Sequence, residues 1–335
     1  MVAVSTGGRR VECEPGQTLL EAFLRGGVWM PNSCNQGTCG TCKLRVLSGE
    51  VDHGASPLDT LSEPERAAGL ALACQARPLA DTEVSSPGDA GRSTHPLRDF
   101  TATVLEIADI ARDTRRVLLG LSEPLAFDAG QYVELVVPGS GARRQYSLAN
   151  TADEDKVLEL HVRRVPGGVA TDGWLFDRLA VGDQVSASGP LGDFRLPPES
   201  EDDGGPMVLI GGGTGLAPLV GLARTALARH PSREVLLYHG VRGAADLYDL
   251  GRFAEIAGEH PGFRFVPVLS HEPDPLYRSG FPTDAFVEDV ASGRGWSGWL
   301  CGPPAMVEAG VKAFKRRRMA PRQIHREKFT PAEPG

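Results

Sequence analysis

The sequence predicts a multidomain chain: a small α+β segment, then an antiparallel β-barrel, then an α/β segment built on a parallel sheet. Three observations predict it. Three of the six cysteines crowd between positions 34 and 42 of a chain of 335 residues. Six short extended runs separated by turn signals occupy the middle. A glycine-rich loop, Gly211-Gly-Gly-Thr-Gly-Leu-Ala-Pro218, then joins an apolar run to an Ala/Leu-rich one, and strand and helix patterns alternate from there.

Apolar residues make up 41% and charged ones 23%, enough for packed cores. A net charge of −8 argues against a nucleic-acid binder, which needs a basic face. No apolar run reaches the ~18 residues of a spanning helix, and the first residues lack the apolar core of a secretory signal. Clustered thiols in such a chain point to metal binding in a reducing cytoplasm rather than to a secreted disulfide scaffold. Two polar, turn-rich stretches at 85–96 and 197–206 divide the chain into 1–88, 97–200 and 205–335.

In the first segment Thr18-x-x-Glu21 is a capping box that opens a helix ending at Gly26-Gly27, and Ser62-x-x-Glu65 opens a second, shorter one. Cys34-x4-Cys39-x2-Cys42, with Cys74 farther on, is the spacing of a plant-type 2Fe–2S ligand set. Gly37 and Gly40 lack side chains that would keep backbone N–H groups from turning toward anionic sulfur. The alternative is a structural zinc site, which usually takes two close Cys-x2-Cys pairs or a Cys/His mixture. Cys13 fits no motif and reads as a small buried hydrophobe. Pro31-Asn-Ser-Cys-Asn-Gln-Gly-Thr-Cys-Gly-Thr-Cys42 and Leu72-Ala-Cys-Gln-Ala76 resemble plant-type ferredoxins, which implies a β-grasp domain with Cys34, Cys39, Cys42 and Cys74 as ligands.

The middle segment has extended runs at 101–108, 114–121, 131–137, 143–147, 157–164 and 183–188, with one helix near 172–179. Arg144-Gln145-Tyr146-Ser147 ends one run. Pro166-Gly-Gly-Val-Ala-Thr171 and Ser188-Gly-Pro-Leu-Gly-Asp-Phe194 follow it, in an order similar to the ferredoxin–NADP⁺ reductase superfamily. That resemblance implies an FAD-binding barrel. Arg144 would pair with the pyrophosphate, Tyr146 would pack on the isoalloxazine, and Ser147 would hydrogen-bond near flavin N5. Gly167, Gly168, Val169 and Thr171 would open a helix whose N-terminal amides favour phosphate. His161 and Arg163 on the preceding run are further cofactor candidates, with an ordinary strand face as the alternative.

The 211–218 loop is neither a Walker A motif nor G-x-G-x-x-G. It resembles the superfamily's nicotinamide-dinucleotide loop, which makes Gly212, Gly213, Thr214, Gly215 and Pro218 binding candidates. Tyr238-His-Gly-Val-Arg242 falls at the family's adenosine position, where Arg242 could take a 2′-phosphate, and no acidic residue stands clearly placed to choose NADH. Cys301-Gly302-Pro303 falls at the strand end facing the nicotinamide, with Cys301 as a packing residue beside the reacting ring. Phe329 in Ile324-His-Arg-Glu-Lys-Phe329 is the candidate to cover the flavin. Lys315-Arg-Arg-Arg318 reads as helix-end cations complementing the dipole.

Ferredoxin, FAD barrel and nicotinamide segment, in that order, are similar to the reductase components of bacterial multicomponent oxygenases, such as benzoate dioxygenase, phenol hydroxylase and methane monooxygenase reductases. The resemblance implies electron transfer from NADH (or NADPH) through FAD and the 2Fe–2S cluster to an oxygenase or hydroxylase component, docking near Cys39–Cys42. Val46-Leu-Ser-Gly-Glu-Val-Asp-His53 also resembles reductases that serve a deoxysugar dehydrase. A zinc-stabilised nucleotide-sensing module is the reading of another class.

Overall fold

The computed structural model describes residues 1–85 and 94–330, so most of the turn-rich stretch at 85–96 lies outside the described residues. The chain forms two compact units: Met1–Phe100 with Ser188–Asp193, and Thr101–Ala187 with the chain from Phe194 onward.

The first unit carries β1 (Val2–Thr6), β2 (Arg9–Cys13), β3 (Lys43–Ser48), β4 (Val51–Asp52), β5 (Leu70–Leu72), β6 (Arg77–Pro78) and β7 (Thr82–Ser85). Five of these form a mixed sheet in the order β2-β1-β7-β3-β5, with β1 and β7 parallel. Helix α1 (Leu19–Arg25) buries Leu19, Leu20, Ala22, Phe23 and Leu24. Its capping box is made: Thr18 Oγ1 accepts from the Glu21 N–H and Glu21 accepts from the Thr18 N–H. Ser62 and Glu65 form the second box at α2 (Glu63–Ala67). One helix on a mixed sheet of this order is the β-grasp arrangement expected from the resemblance.

Most of the antiparallel barrel belongs to the second unit: β8 (Arg98–Ala111), β9 (Thr114–Leu121), β10 (Tyr132–Val136), β11 (Arg143–Ser147), β12 (Val157–Arg163) and β13 (Gln184–Leu191), in the order β11-β10-β13-β8-β9-β12. An antiparallel bridge between Leu148 and Leu160 joins the two ends of that order. The helix expected near 172–179 is instead a single wide turn of π type, Thr171–Phe176. Gly168 is the reason: its carbonyl accepts from both Asp172 and Gly173, which widens the turn.

The parallel sheet runs β17-β16-β15-β14-β18-β19, with β14 (Met207–Gly212), β15 (Val235–Val241), β16 (Phe263–Leu269), β17 (Arg278–Ser279), β18 (Ser297–Gly302) and β19 (Ile324–Lys328). Met207 and Leu209 of β14 face α3 (Leu216–Arg229) and α4 (Leu250–Glu259), whereas Val208 and Ile210 face α5 (Pro282–Asp289) and α6 (Pro304–Arg316). Apolar residues at consecutive positions thus fill both faces of one strand, as a sheet covered on two sides requires. Strand order reverses between β14 and β18, and in such sheets the ligand crevice opens at the carboxyl ends of the strands at that reversal.

Candidate functional site

The cysteine loop lies between α1 and β3. Asn35, Gly37 and Gly40 take positive φ, at 49°, 81° and 72°. At Gly37 even a methyl group would stand 3.1 Å from both Gln75 and Pro57, so the turn needs glycine on space as well as on φ. These turns aim backbone N–H groups at sulfur: Gln36 N donates to Cys34 Sγ at 3.4 Å and Thr41 N to Cys39 Sγ at 3.5 Å. Cys42 Sγ is 3.2 Å from Cys74 Sγ, and none of the six cysteines forms a disulfide. The thiols share protons in two pairs: a hydrogen bond from Cys39 pulls Cys34 down to about 4, and one from Cys74 lowers Cys42. Four convergent soft donors with directed amides fit a 2Fe–2S cluster. Cys39 and Thr38 are exposed, as is Leu58 beside them, whereas Cys42 and Cys74 are buried.

Asp193, in the Ser188–Asp193 stretch that the first unit takes in, accepts from the Trp29 indole at 2.7 Å and from the Asn32 N–H at 2.9 Å. Asn32 Oδ1 in turn accepts from the Gly192 N–H. The segment leading into Cys34 is therefore held by a motif that sequence reading assigned to the flavin.

On β11, Tyr146 pairs in register with Val133 and the buried Ser147 with Tyr132. Arg144 is half-buried, donates to the Arg143 carbonyl and makes no ion pair among the described residues, which fits a pyrophosphate partner. Gln145 instead bonds Glu134 at 3.1 Å. Arg163 reaches the dinucleotide loop, with Nη1 3.3 Å from where a Cβ on Gly213 would stand.

On β12 and the loop that follows it, the candidate residues also bond within the protein. His161 is sealed: its side chain has 0% exposure and its Nε2 lies 2.9 Å from Glu159, which Arg252 also holds. Glu159 and Arg252 tie it to α4, and its ring edge meets Tyr248. The Gly167 N–H donates to Asp172, whose carboxylate pairs with Arg164. Thr171 exchanges hydrogen bonds with Val165, while Gly168 bonds Val165 and Val169 stands exposed.

At the strand reversal the backbones nearly touch. A Cβ on Gly215 would lie 2.2 Å from the Cys301 carbonyl, and one on Gly302 2.9 Å from the Gly212 carbonyl. Gly213 and Thr214 remain half-buried between buried neighbours, whereas Pro218 is packed inside α3. This cradle, which any side chain would fill, fits a dinucleotide backbone. Pro303 is exposed at the start of α6. The half-buried Phe329 donates its N–H to the Gly302 carbonyl at 2.8 Å.

Three matches to protein families cover most of the chain: a 2Fe-2S iron-sulfur cluster binding domain at 2–79, an oxidoreductase FAD-binding domain at 101–196 and an oxidoreductase NAD-binding domain at 209–312. Among curated relatives, the reductase subunit of an aromatic O-demethylase from Amycolatopsis is 90% identical over 98% of this chain and 99% of its own. The reductase component of a phenol 2-monooxygenase from Pseudomonas is 38% identical over 100% of this chain and 95% of its own. The chain belongs to the reductase components of bacterial oxygenase systems. The crystal structure of an Amycolatopsis cytochrome P450 reductase is similar to this reductase at a TM-score of 0.98 and 89% identity, covering 99% of each chain.

The reductase therefore moves electrons from NAD(P)H through FAD and a 2Fe–2S cluster to an oxygenase component. Neither the deoxysugar reading nor the zinc-stabilised module finds support in these relatives. Two features of the reductase escape sequence reading. Glu327 stands opposite Cys301 in register, its carboxylate 4.0 Å from the sulfur, and burial pushes its pKa up to about 8. Burial also raises the Cys301 thiol, so no thiolate forms there. Strand alternation in Ile324–Lys328 puts Glu327 inward and was the available signal. The second feature is an ion cluster close to Arg242. Arg112 grips Asp246 at 2.8 Å and Glu272 at 3.0 Å, both next to Gly243 and the exposed Arg242.

Proposed function

We propose that this reductase delivers its electrons to a cytochrome P450 that removes the methyl group of an aromatic ether. The observation that carries this choice of acceptor is the 90% identity, over nearly full length, with the reductase subunit of an aromatic O-demethylase. The 89% identity with a cytochrome P450 reductase supports it. The reaction balances as aryl methyl ether, O₂, NADH and a proton giving phenol, formaldehyde, water and NAD⁺.

Within the reductase, Arg144 neutralises the FAD pyrophosphate, Tyr146 covers the isoalloxazine and Ser147 donates a hydrogen bond beside the reacting ring. FAD held by these residues would supply the conversion of a two-electron donor into single electrons, and a 2Fe–2S cluster held by Cys34, Cys39, Cys42 and Cys74 would carry them one at a time. Gly213 and Thr214 present backbone to the dinucleotide, and Cys301 and Phe329 wall off the reacting edge from water. The P450 docks on the exposed rim formed by Thr38, Cys39 and Leu58. Segments 1–88, 97–200 and 205–335 serve as cluster, flavin and nucleotide domains. The reducing cytoplasm suits six cysteines without a disulfide, and among the described residues no helix is long and apolar enough to cross a membrane.

The test combines purified reductase, NADH, an aromatic methyl ether and either a P450 or a diiron hydroxylase. Formaldehyde release in step with NADH consumption is expected with the P450. Turnover with the hydroxylase alone would overturn the acceptor assignment.

A further inference from the structure

We infer that His239 is a positioning residue of the dinucleotide loop, fixing the Gly213 carbonyl and thereby aiming the Thr214 N–H toward the bound nucleotide. This rests on the reading of Gly213 and Thr214 as nucleotide contacts.

His239 sits in the middle of the parallel sheet, opposite Gly211 in register, with 0% exposure. A leucine or phenylalanine would fill such a place without desolvating a polar ring. The imidazole is spent on one contact: its Nε2 lies 3.0 Å from the Gly213 oxygen. A carbonyl only accepts, so Nε2 carries the proton. Nδ1 is buried with no hydrogen-bond partner among the described residues, so the ring's one hydrogen bond there goes to the loop. Burial also pulls the ring's pKa down to about 4, which keeps it neutral with a single N–H.

Two more donors converge on the same oxygen. Tyr248 Oη donates at 3.4 Å, and the Leu216 N–H closes the turn that starts α3. Tyr248 is itself wedged between two imidazole edges, His239 at 5.2 Å and His161 at 5.1 Å between ring centres. The Glu159–Arg252 pair holds His161 in turn. A helix start needs only the Leu216 bond. The other two donors fix something besides the helix.

What they fix is a peptide plane. In a trans peptide the C=O and the next N–H point in opposite directions. Holding the Gly213 oxygen inward therefore holds the Thr214 N–H outward, on the half-buried face of the loop. Gly213 has φ +54°, and with no Cβ its own backbone resists rotation of this peptide little, so an external clamp on its oxygen adds order.

The experiment measures NADH-driven ferricyanide reduction by the FAD- and cluster-loaded protein. His239→Leu keeps the volume and removes the donor. Its KM for NADH should rise about three- to tenfold, the range of one lost hydrogen bond, with kcat within about twofold and FAD content unchanged. His239→Gln restores a donor and should bring KM back to within about twofold. A packing role alone predicts the reverse: matched losses of thermal stability in both variants, with no rescue of KM by glutamine. An unchanged KM in His239→Leu, or a glutamine variant no better than leucine, would overturn the inference. If His239→Leu does not fold, Tyr248→Phe removes only the second donor, and its KM should rise about twofold; an unchanged KM there would also count against the clamp. Gly213→Ala separates the two levels of argument. If it leaves KM untouched, the loop is not the nucleotide site. If it raises KM while His239→Leu does not, the loop assignment stands and the clamp fails.

Discussion

Glu327→Gln is the most informative single substitution, because the structure fixes the size and sign of its effect. The Glu327 carboxyl is buried, makes no ion pair among the described residues, and its pKa is pushed by burial from 4.5 to about 8. The native state therefore keeps a proton that the unfolded chain gives up near pH 4.5. The stability this contributes is complete below that unfolded value and is lost as pH rises toward the folded one. Between about pH 6 and 8 the loss approaches 1.4 kcal/mol per pH unit, about 2 kcal/mol in all once the native carboxyl begins to ionise. Glutamine has the same shape and does not titrate. The melting temperature of Glu327→Gln relative to wild type, measured with equal FAD content, should thus rise by about 4–8 °C from pH 6 to pH 8. Parallel melting curves across that window would show that Glu327 is already ionised and refute the reasoning.

Three further outcomes follow from the same geometry. Cys39→Ser removes one of four sulfur ligands and should abolish NADH-driven cytochrome c reduction while leaving ferricyanide reduction within about twofold; survival of both would sink the cluster assignment. Arg144→Ala should weaken FAD retention about tenfold or more, seen as flavin lost on gel filtration, because a charge-assisted pair contributes roughly 1.5–3 kcal/mol; full retention would argue against the pyrophosphate role. Asp193→Asn leaves one acceptor oxygen for the Trp29 and Asn32 donors, so the visible bands of the cluster should bleach about tenfold faster under a chelator, at ~1.4 kcal/mol for one lost bond to a carboxylate; bleaching at the wild-type rate would make that contact idle.

Much of this was legible before any coordinates because the chemistry is local. The Cys34–Cys42 spacing, the two capping boxes and the Gly211–Pro218 loop each state their geometry within a dozen residues. The six barrel strands were readable from alternation and turn residues. What was not legible depends on partners far along the chain. Glu327 is an ordinary acidic residue until β18 and β19 pair and bury it opposite Cys301. The setting of His161 was hidden because nothing nearby announces Glu159 bound to Arg252 across 93 positions. Asp193 sat in a stretch read as flavin-binding, yet its hydrogen bonds run to residues 29 and 32. The turn at Thr171–Phe176 was read as an ordinary helix because a doubly accepting glycine carbonyl leaves no mark in hydrophobic spacing. Asp246 and Glu272 gained meaning only when Arg112 gathered them beside Gly243.

The most direct test of the account is an anaerobic NADH titration that follows flavin absorbance and the paramagnetic signal of the reduced cluster together. The account predicts that flavin absorbance falls first and that the cluster signal then appears in the same molecules, with Cys39→Ser showing only the first event. A cluster that stays oxidised while the flavin is fully bleached would contradict it.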